Sequence, residues 1–432
     1  MKDSNASPPL AEIVSIGDEL VLGEIADTNA AEIAWTLAGE GMMVVRVTVV
    51  GDERGRIVTA LREAISRADA VIVTGGLGPT EDDLTRHALA DALGVPLEHS
   101  AEAERAVAER TGRDPTNMDL RQALVPRGAE VIPNPRGTAP GLRARRDGTV
   151  VYVLPGVPHE MRGMLRESVL PRLRQDVGVG LLAKGFLVTF GMREADIASR
   201  LSGVEAVFPG VRIGTRAQSG VVTVRVSSVQ GRADEALDEV RNRLGEAVVG
   251  EGDATLAELV AAEALGRGLR IAVAESLTGG GVTSRLVAVP GMSQALVEGI
   301  VAYANEAKVR RLGASAELIE KHGAVSAEVA RAMAEGALLA AGADVAVSTT
   351  GVAGPTGGSE AKPVGLVFMA AAGAAGTEVV ERRFRGERGV VIERAAETAL
   401  WLLLRAVRST PGPGRGAPAT SGPAAGGRCP AS

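Results

Sequence analysis

Hydrophobic residues along the chain follow two alternating patterns, and this alternation predicts the fold. Between residues 10 and 170, short β-branched runs that end in glycine are separated by stretches in which apolar residues have helical spacing. Strands that alternate with helices of this length are typical of a parallel sheet with helices on both faces. The strand-like runs are 11–17, 43–51, 70–76 and 149–156, and the clearest helical stretches are 29–41 and 56–68.

The same α/β pattern returns near the C-terminus, after a middle segment of a different kind. Residues 183–250 predict a small α+β unit, whereas residues 254–408 again alternate strands and helices. We therefore expect two three-layer α/β domains joined by a small α+β domain. The predicted boundaries are 10–175, 183–252 and 253–408, with residues 1–9 and the Pro/Gly/Ala/Ser-rich residues 409–432 expected to be disordered.

The composition narrows the class of protein. The net charge of −6 argues against a general nucleic-acid binder, and no apolar run reaches the ~18 residues that a membrane helix needs. Because Cys429 is the only cysteine, an intrachain disulfide and a cysteine metal cluster are excluded, and its position in the C-terminal tail argues against a cysteine nucleophile. We expect a cytoplasmic protein that acts on small molecules and binds neither nucleic acid nor membranes.

The first candidate site in the C-terminal domain is the segment AVAESLTGGG. It places Ser276 directly after a predicted strand, with Thr278, Gly279 and Gly280 in the turn towards the next helix. A serine at this position lies at the carboxyl edge of the sheet, where open α/β sheets bind ligands. The glycines and the helix N-terminus suit a phosphate or a developing oxyanion. The same residues are also typical of a helix cap, so the motif alone leaves both interpretations open.

A second motif, VAYANEAKVRRLG, offers a base for this serine. Tyr303 and Lys308 lie near a predicted strand-to-helix turn, and only five of the 47 basic residues are lysines. His322 is the only histidine in this domain, which leaves little material for a Ser-His-Asp triad. A buried lysine that has lost its proton can deprotonate a serine, whereas arginine cannot. A solvated lysine and a surface tyrosine remain the structural alternative.

A third motif, residues 348–365, is a strand followed by a glycine-rich loop. It contains Thr350, Gly351 and Gly354, and such loops can bind phosphate through backbone amides. A flexible surface loop would have a similar sequence. Arg388, in the segment RGERG, is a weaker candidate for binding a phosphate.

Taken together, these segments resemble the C-terminal domain of the CinA (competence/damage-inducible protein A) family. The matching stretches include AESLTGGGVTSRLVAVPGMS, VAYANEAKVRRLG and TGVAGPTGGSEAKPVG, and Leu277 stands where the family usually has cysteine. The resemblance implies nicotinamide-nucleotide amidase activity without a cofactor. It implies Ser276 as nucleophile, Lys308 as general base, and Tyr303 and Thr350 as residues that transfer protons or position the amide.

Two motifs follow strands in the N-terminal domain. The first is SIGDELVLGEIADTN, and the second, TGGLGPTEDDLT, contains Gly75, Gly76, Gly78 and Thr80 followed by acidic residues. The glycines suit close approach of phosphates, and acids beside phosphates suggest a divalent cation between them. Asp82 and Asp83 are the metal candidates. Acidic residues also stabilise a helix N-terminus through its dipole, so that interpretation stays open.

This N-terminal region resembles the molybdopterin-binding fold of the MoaB/MogA proteins, in the version that begins CinA chains. The resemblance implies either a molybdopterin-type nucleotide site or hydrolysis of ADP-ribose with Mg²⁺, Mn²⁺ or Co²⁺. The middle segment is similar to the KH-like linker domain of full-length CinA proteins, but it lacks the G-x-x-G loop that would predict RNA binding. We therefore expect a homodimeric enzyme that acts on nicotinamide mononucleotide (NMN) and ADP-ribose. The alternatives are a molybdopterin-binding protein and a non-catalytic scaffold in competence or DNA damage.

Overall fold

The computed structural model describes residues 8–114, 116–178, 183–228 and 231–412. The chain divides into two compact units. The first contains the described residues up to Gly185 together with Gly203–Ile213 and Arg225–Glu239. The second contains Phe186–Ser202, Gly214–Val224 and the described residues from Val240 onward. Disorder was expected for residues 1–9 and 409–432; of these, residues 8–9 and 409–412 are described, and the rest lie outside the described residues.

The first unit is built on a six-stranded sheet with strand order β2-β1-β3-β8-β7-β6. One apolar layer packs on each face of this sheet, as the alternation of strands and helices predicts. The strands are β1 Leu10–Ile16, β2 Met43–Val50, β3 Ala70–Thr74, β4 Leu97–His99, β5 Leu124–Pro126, β6 Glu130–Ile132, β7 Gly141–Arg146 and β8 Thr149–Leu154. The α-helices are α1 Asp18–Val21, α2 Thr28–Gly39, α3 Arg54–Arg67, α4 Thr85–Leu93, α5 Ala101–Thr111, α6 Pro158–Met164 and α7 Leu170–Val177.

The expectation of a purely parallel sheet was wrong for this unit. Strands β1, β2, β3 and β8 are parallel, but β7 runs antiparallel to both of its neighbours. The reason is the two-residue turn at Asp147 and Gly148, whose φ angles are 51° and 91°. Positive φ at both positions is typical of a type I′ turn, which joins adjacent antiparallel strands.

The middle segment has the predicted α+β character. Its last strand, β12, pairs antiparallel with β9, and this pairing was not expected from the sequence. The strands are β9 Ala183–Phe190, β10 Val211–Gln218, β11 Val221–Ser228 and β12 Val248–Glu251, and the helices are α8 Glu194–Leu201, α9 Val204–Val207 and α10 Ala233–Leu244.

The C-terminal region contains a five-stranded sheet with strand order β14-β13-β15-β16-β17. Strands β13, β14 and β15 are parallel, whereas β16 and β17 form an antiparallel pair beside β15, so this sheet is also mixed. The strands are β13 Ile271–Glu275, β14 Leu296–Val301, β15 Val345–Gly351, β16 Leu366–Gly373 and β17 Gly376–Arg383. The helices are α11 Leu256–Arg267, α12 Gly281–Val287, α13 Asn305–Leu312, α14 Ala316–His322, α15 Ala327–Ala341 and α16 Arg388–Ser409.

Candidate active sites

Ser276 lies at the carboxyl edge of the C-terminal sheet, one residue after β13 ends. Its amide donates to the carbonyl of Thr349 on the neighbouring strand at 3.0 Å, and the residue is 8% exposed. Gly279 and Gly280 then take φ angles of 59° and 101°, a region that residues with a Cβ rarely adopt. These two glycines let the chain turn sharply from β13 into α12 and keep the serine at the sheet edge.

The buried carboxylate of Glu275 organises this turn, and sequence reasoning missed it. One oxygen accepts from the amides of Gly280 and Val282, each at 3.0 Å. The other accepts from the amide and hydroxyl of Thr283, at 2.9 and 2.7 Å. A carboxylate at a helix N-terminus is stabilised by the free amides and by the helix dipole. The signal available in the sequence was an ionisable residue at the end of an otherwise apolar strand.

Thr278, Gly279 and Gly280 were expected to bind an oxyanion or a phosphate, but their hydrogen bonds are made within the protein. The amide of Gly280 is taken by Glu275, and the amide of Gly279 donates to the carbonyl of Ser276 at 3.1 Å. Thr278 is buried, and its hydroxyl is 2.7 Å from that of Thr349. These residues therefore shape the turn, and none of the three lines the pocket beside Ser276.

A pocket of about 220 Å³ opens beside Ser276. It brings together all four predicted catalytic residues, although they come from three separate parts of the sequence. Gly351 and Arg388 also line it, whereas Gly354 does not. The remaining lining residues are Leu277, Asn305, Ala324, Val325 and Ala353.

Lys308 is buried in the wall of this pocket, on α13, and is only 2% exposed. Its Nζ donates a hydrogen bond to the carbonyl of Tyr303 at 2.9 Å. Burial lowers the pKa of Lys308, and the negative charge of Glu306 opposes this shift only in part. Within the part of the chain that the structure describes, no carboxylate forms a salt bridge with this lysine. Burial therefore favours the neutral amine of Lys308, which is the form that a general base needs.

The other predicted residues of the pocket differ in exposure. The hydroxyl of Thr350 donates to the carbonyl of Ala324 at 2.7 Å, so its oxygen is held in a fixed position. Tyr303 is 63% exposed, and its hydroxyl lies 3.3 Å from a guanidinium nitrogen of Arg388. The same guanidinium donates to the carbonyl of Gly354 at 2.9 Å. Arg388 thus supplies a positive charge at the open side of the pocket.

A second and larger cavity, of about 530 Å³, lies in the first unit. It is bordered by the carboxyl ends of β1, β3 and β8 and includes Gly75, Gly76, Gly78, Asp82 and Asp83, but not Thr80. A Cβ on Gly75 would lie 2.0 Å from the carbonyl oxygen of Ile16, so only glycine fits there. The predicted glycine-rich loop therefore does border a cavity.

The two predicted metal ligands have different surroundings. One oxygen of Asp83 accepts from the amide of Gly78 at 2.7 Å, and the other accepts from the amide of Thr80 at 2.8 Å and from its hydroxyl. Asp83 thus holds the loop together, since each of its oxygens accepts at least one hydrogen bond from the loop. Asp82 is exposed at the cavity. No group of three or more His, Cys, Asp or Glu side chains in the described ranges could hold a metal ion.

The charge of this cavity is strongly one-sided. Six carboxylates line it, and among the described residues no lysine, arginine or histidine does. Burial raises the pKa of Asp52, and the nearby charges of Asp18, Glu19 and Asp82 raise it further. Asp18 and Asp52 are tied together, since the amide of each donates to the other's carboxylate. The six carboxylates belong to Glu19, Asp27, Asp52, Asp82, Asp83 and Glu160.

Comparison with known proteins matches each of the two α/β regions that contain a candidate site to a family model. Residues 253–407 match the family model described as "CinA C-terminal domain", and residues 12–175 match the one described as "probable molybdopterin binding domain".

Among the described residues, no helix is long and apolar enough to span a bilayer.

Relatives that are matched over nearly their full length are CinA-like proteins. A CinA-like protein of Anaeromyxobacter dehalogenans (strain 2CP-1) is 46% identical over 92% of this chain and 99% of its own length. A CinA-like protein of Geobacter sulfurreducens is 45% identical over 91% and 98%. The crystal structure of CinA from Thermoplasma acidophilum, described as a protein of unknown function, is 35% identical and covers 40% of this chain and 99% of its own, with a TM-score of 0.37. On the evidence of its full-length relatives, this chain belongs to the CinA family.

Proposed function

We propose that the C-terminal domain hydrolyses the carboxamide of NMN to give nicotinate mononucleotide and ammonia. The observation that carries this proposal is the burial of Lys308 in the same small pocket as Ser276. A serine hydroxyl is a weak nucleophile until a base removes its proton. A buried lysine whose pKa is lowered can be that base.

The reaction proceeds in two halves. Ser276 Oγ attacks the carboxamide carbon while its proton passes to Lys308 Nζ. The resulting ammonium returns the proton to the leaving nitrogen, so ammonia departs and an acyl ester remains on the serine. A water molecule then attacks this ester and gives a proton to Lys308. Lys308 passes this proton to Ser276 Oγ as the ester bond breaks, so nicotinate mononucleotide is released and Ser276 is restored.

The negative oxygen that forms during attack needs hydrogen-bond donors. Within the described residues, the amides of Leu277 and Thr278 donate no hydrogen bond, and Leu277 lines the pocket. The amide that follows a nucleophile on a strand-to-helix turn is a common oxyanion donor. We assign this role to Leu277 in place of the glycines, and we assign the substrate phosphate to Arg388.

The direct test is an assay of ammonia release from NMN with purified protein. Ser276→Ala is the matched control, because it removes one oxygen from the turn and leaves the contacts of Glu275 intact. We expect turnover in the wild type and none above background in the variant. Equal turnover in both proteins would contradict the proposal.

For the N-terminal domain we propose metal-dependent hydrolysis of ADP-ribose to AMP and ribose 5-phosphate. The supporting observation is the cavity lined by six carboxylates and no basic side chain. Such a cavity repels a diphosphate unless cations lie between them. Magnesium is typically bound by one or two carboxylates together with substrate phosphates, and the exposed Asp82 beside Asp52 fits this mode. A divalent cation bound there would neutralise the phosphates and polarise the bond that is cleaved.

The two adjacent aspartates provide an internal comparison. We expect Asp82→Asn to abolish ADP-ribose hydrolysis with little change in thermal stability, and Asp83→Asn to lower stability because the loop loses its anchor. Full activity in Asp82→Asn would remove it from the metal site. Titration of the same proteins with molybdopterin precursors tests the alternative, since tight binding without ADP-ribose turnover would favour a molybdopterin function.

A further inference from the structure

In the part of the chain that the structure describes, two acceptor oxygens in the wall of the N-terminal cavity have no hydrogen-bond partner. They are Oδ2 of Asp27 and Oδ1 of Asn29, and both have almost no water-accessible surface. Both residues line the cavity, and Asn29 is only 9% exposed. A buried acceptor that neither protein nor water satisfies destabilises the folded state, because it has lost its hydration without gaining a donor. Such atoms in the wall of a cavity indicate that a ligand supplies the missing donors.

The hydrogen bonds that Asp27 and Asn29 do make show which oxygen of each side chain lacks a partner. The amide nitrogen of Asn29 donates to the carbonyl of Gly156 at 2.6 Å, so its oxygen cannot exchange places with the nitrogen. Oδ1 of Asp27 caps helix α2 by accepting from the amide of Ala30 at 2.9 Å, which leaves Oδ2 unused. The adjacent segment, residues 21–26, is exposed, so this wall has room to adjust around a ligand.

A different part of the same cavity offers donors instead of acceptors. Gly76 and Leu77 line the cavity, and their amides donate no hydrogen bond to any other described residue. Free backbone amides in a glycine-rich turn are suited to phosphate oxygens. The cavity therefore combines donors for an anion with two acceptors that require hydroxyl or amino hydrogens.

We propose that Asp27 and Asn29 form a subsite for the vicinal hydroxyl groups of a ribose, while the Gly76–Leu77 turn binds its phosphate. This inference rests on the nucleotide chemistry proposed above for the cavity and narrows it to ribose-containing ligands. Each hydroxyl of a vicinal pair can donate one hydrogen bond, one to the carboxylate of Asp27 and one to the side-chain oxygen of Asn29. Carboxylates that accept from ribose hydroxyls are a common means of recognising nucleotides.

The test uses Asp27→Ser in the full-length protein. Serine caps a helix about as well as aspartate, so the variant keeps the oxygen for Ala30 and loses only the unpaired one. Binding is measured by calorimetry in the presence of magnesium, with ribose 5-phosphate, ADP-ribose and inorganic pyrophosphate as probes. We expect affinity for both ribose ligands to fall about tenfold and affinity for pyrophosphate to stay within about twofold. Asn29→Ala, with folding checked by thermal melts, should show the same selectivity.

The outcomes separate this subsite from the proposed activity. Equal weakening of all three probes, or no change in any, would overturn the subsite even if ADP-ribose is hydrolysed. Loss of magnesium binding in Asp27→Ser, measured with the metal alone, would also overturn it, because the oxygens would then be metal ligands. Binding of ribose 5-phosphate that depends on Asp27, without ADP-ribose turnover, would support the subsite and contradict the pyrophosphatase.

Discussion

Lys308 donates a hydrogen bond from its Nζ to the main-chain carbonyl of Tyr303 across 2.9 Å. This contact fixes the end of a flexible side chain without supplying a negative charge. The lysine is thus held in the pocket of Ser276 while burial disfavours its ionised form. A neutral acceptor of this kind positions a lysine and leaves its pKa low, whereas a carboxylate in the same place would raise it.

The first prediction concerns the pH dependence of NMN turnover. Because only neutral Lys308 can accept the proton of Ser276, kcat/KM should rise with pH until the lowered pKa of this lysine is passed and then level off. The inflection should lie below ~10.4, the ordinary lysine value. A pH–rate profile of the wild type measures it. A profile without an ascending limb, or one whose inflection lies at or above ~10.4, would contradict the assignment.

The second prediction concerns stability. Because the pKa of Lys308 is lower in the folded protein than in the unfolded chain, the folded state is penalised wherever the unfolded lysine is charged, and the penalty grows as pH falls. Lys308→Met removes this penalty, because methionine carries no charge and fills a similar volume. We expect the variant to melt about 2–4 °C above the wild type at about pH 7, with a smaller difference near pH 10. A variant that melts lower than the wild type at both pH values would contradict this prediction. It would show that the hydrogen bond from Lys308 to Tyr303 stabilises the fold by more than burial of the charged amine destabilises it.

The third prediction concerns Glu275. Glu275→Gln replaces an acceptor oxygen by an amide nitrogen that faces backbone donors, so at least one of its four hydrogen bonds is lost. We expect a loss of about 2–5 kcal/mol in the free energy of unfolding, measured by denaturant titration. The exposed Glu298 on edge strand β14 provides the control, since Glu298→Gln should change stability by less than about 0.5 kcal/mol. Similar values for the two variants would contradict the role of Glu275.

The sequence predicted the central strands and several elements of the C-terminal pocket for good physical reasons. Runs such as AVIVT and IAVAE are apolar on both faces, because strands in the middle of a covered sheet are buried on both sides. The carboxyl ends of adjacent parallel strands meet at one edge. The sequence placed Ser276 at such an edge, whereas Thr350 was proposed only from the family resemblance, and the pairing of β13 with β15 is seen only in the structure.

Other features depend on contacts that strand and helix patterns do not reveal. The antiparallel edge of the first sheet follows from the Asp147–Gly148 turn, a local signal that was present but was outweighed by the α/β pattern. In the sequence, Glu275 is only the last residue of a strand. Its role in the turn depends on amides at the start of α12, which donate hydrogen bonds to its carboxylate. Asp82 and Asp83 are equivalent in sequence, yet only Asp83 accepts from the backbone amides of the loop.

The fourth prediction separates the two sites by metal dependence. EDTA should abolish ADP-ribose hydrolysis, because six carboxylates would repel the diphosphate once the cation is removed. The same treatment should leave NMN deamidation unchanged, since Ser276 and Lys308 need no metal for proton transfer. Both activities are measured on one preparation, and added magnesium serves as the rescue control. Equal loss of both would contradict the assignment of the metal to the N-terminal site.

The fifth prediction concerns the base itself. Lys308→Arg keeps the positive charge and much of the length but cannot accept a proton near neutral pH. We expect kcat for NMN to fall by about 10²–10⁴-fold, with KM changed by no more than a few fold, because the variant leaves the proposed phosphate contact of Arg388 in place. Thermal melts check that the buried arginine is tolerated, and Lys308→Met provides a second variant without a base.

Steady-state kinetics of Lys308→Arg beside Ser276→Ala therefore give the sharpest test of the Ser-Lys mechanism. This mechanism predicts that both variants lose nearly all turnover while still binding NMN. If Lys308 only holds a phosphate or a surface carboxylate, the arginine variant would keep a near-normal kcat and change mainly in KM. A near-normal kcat in Lys308→Arg would contradict the Ser-Lys mechanism.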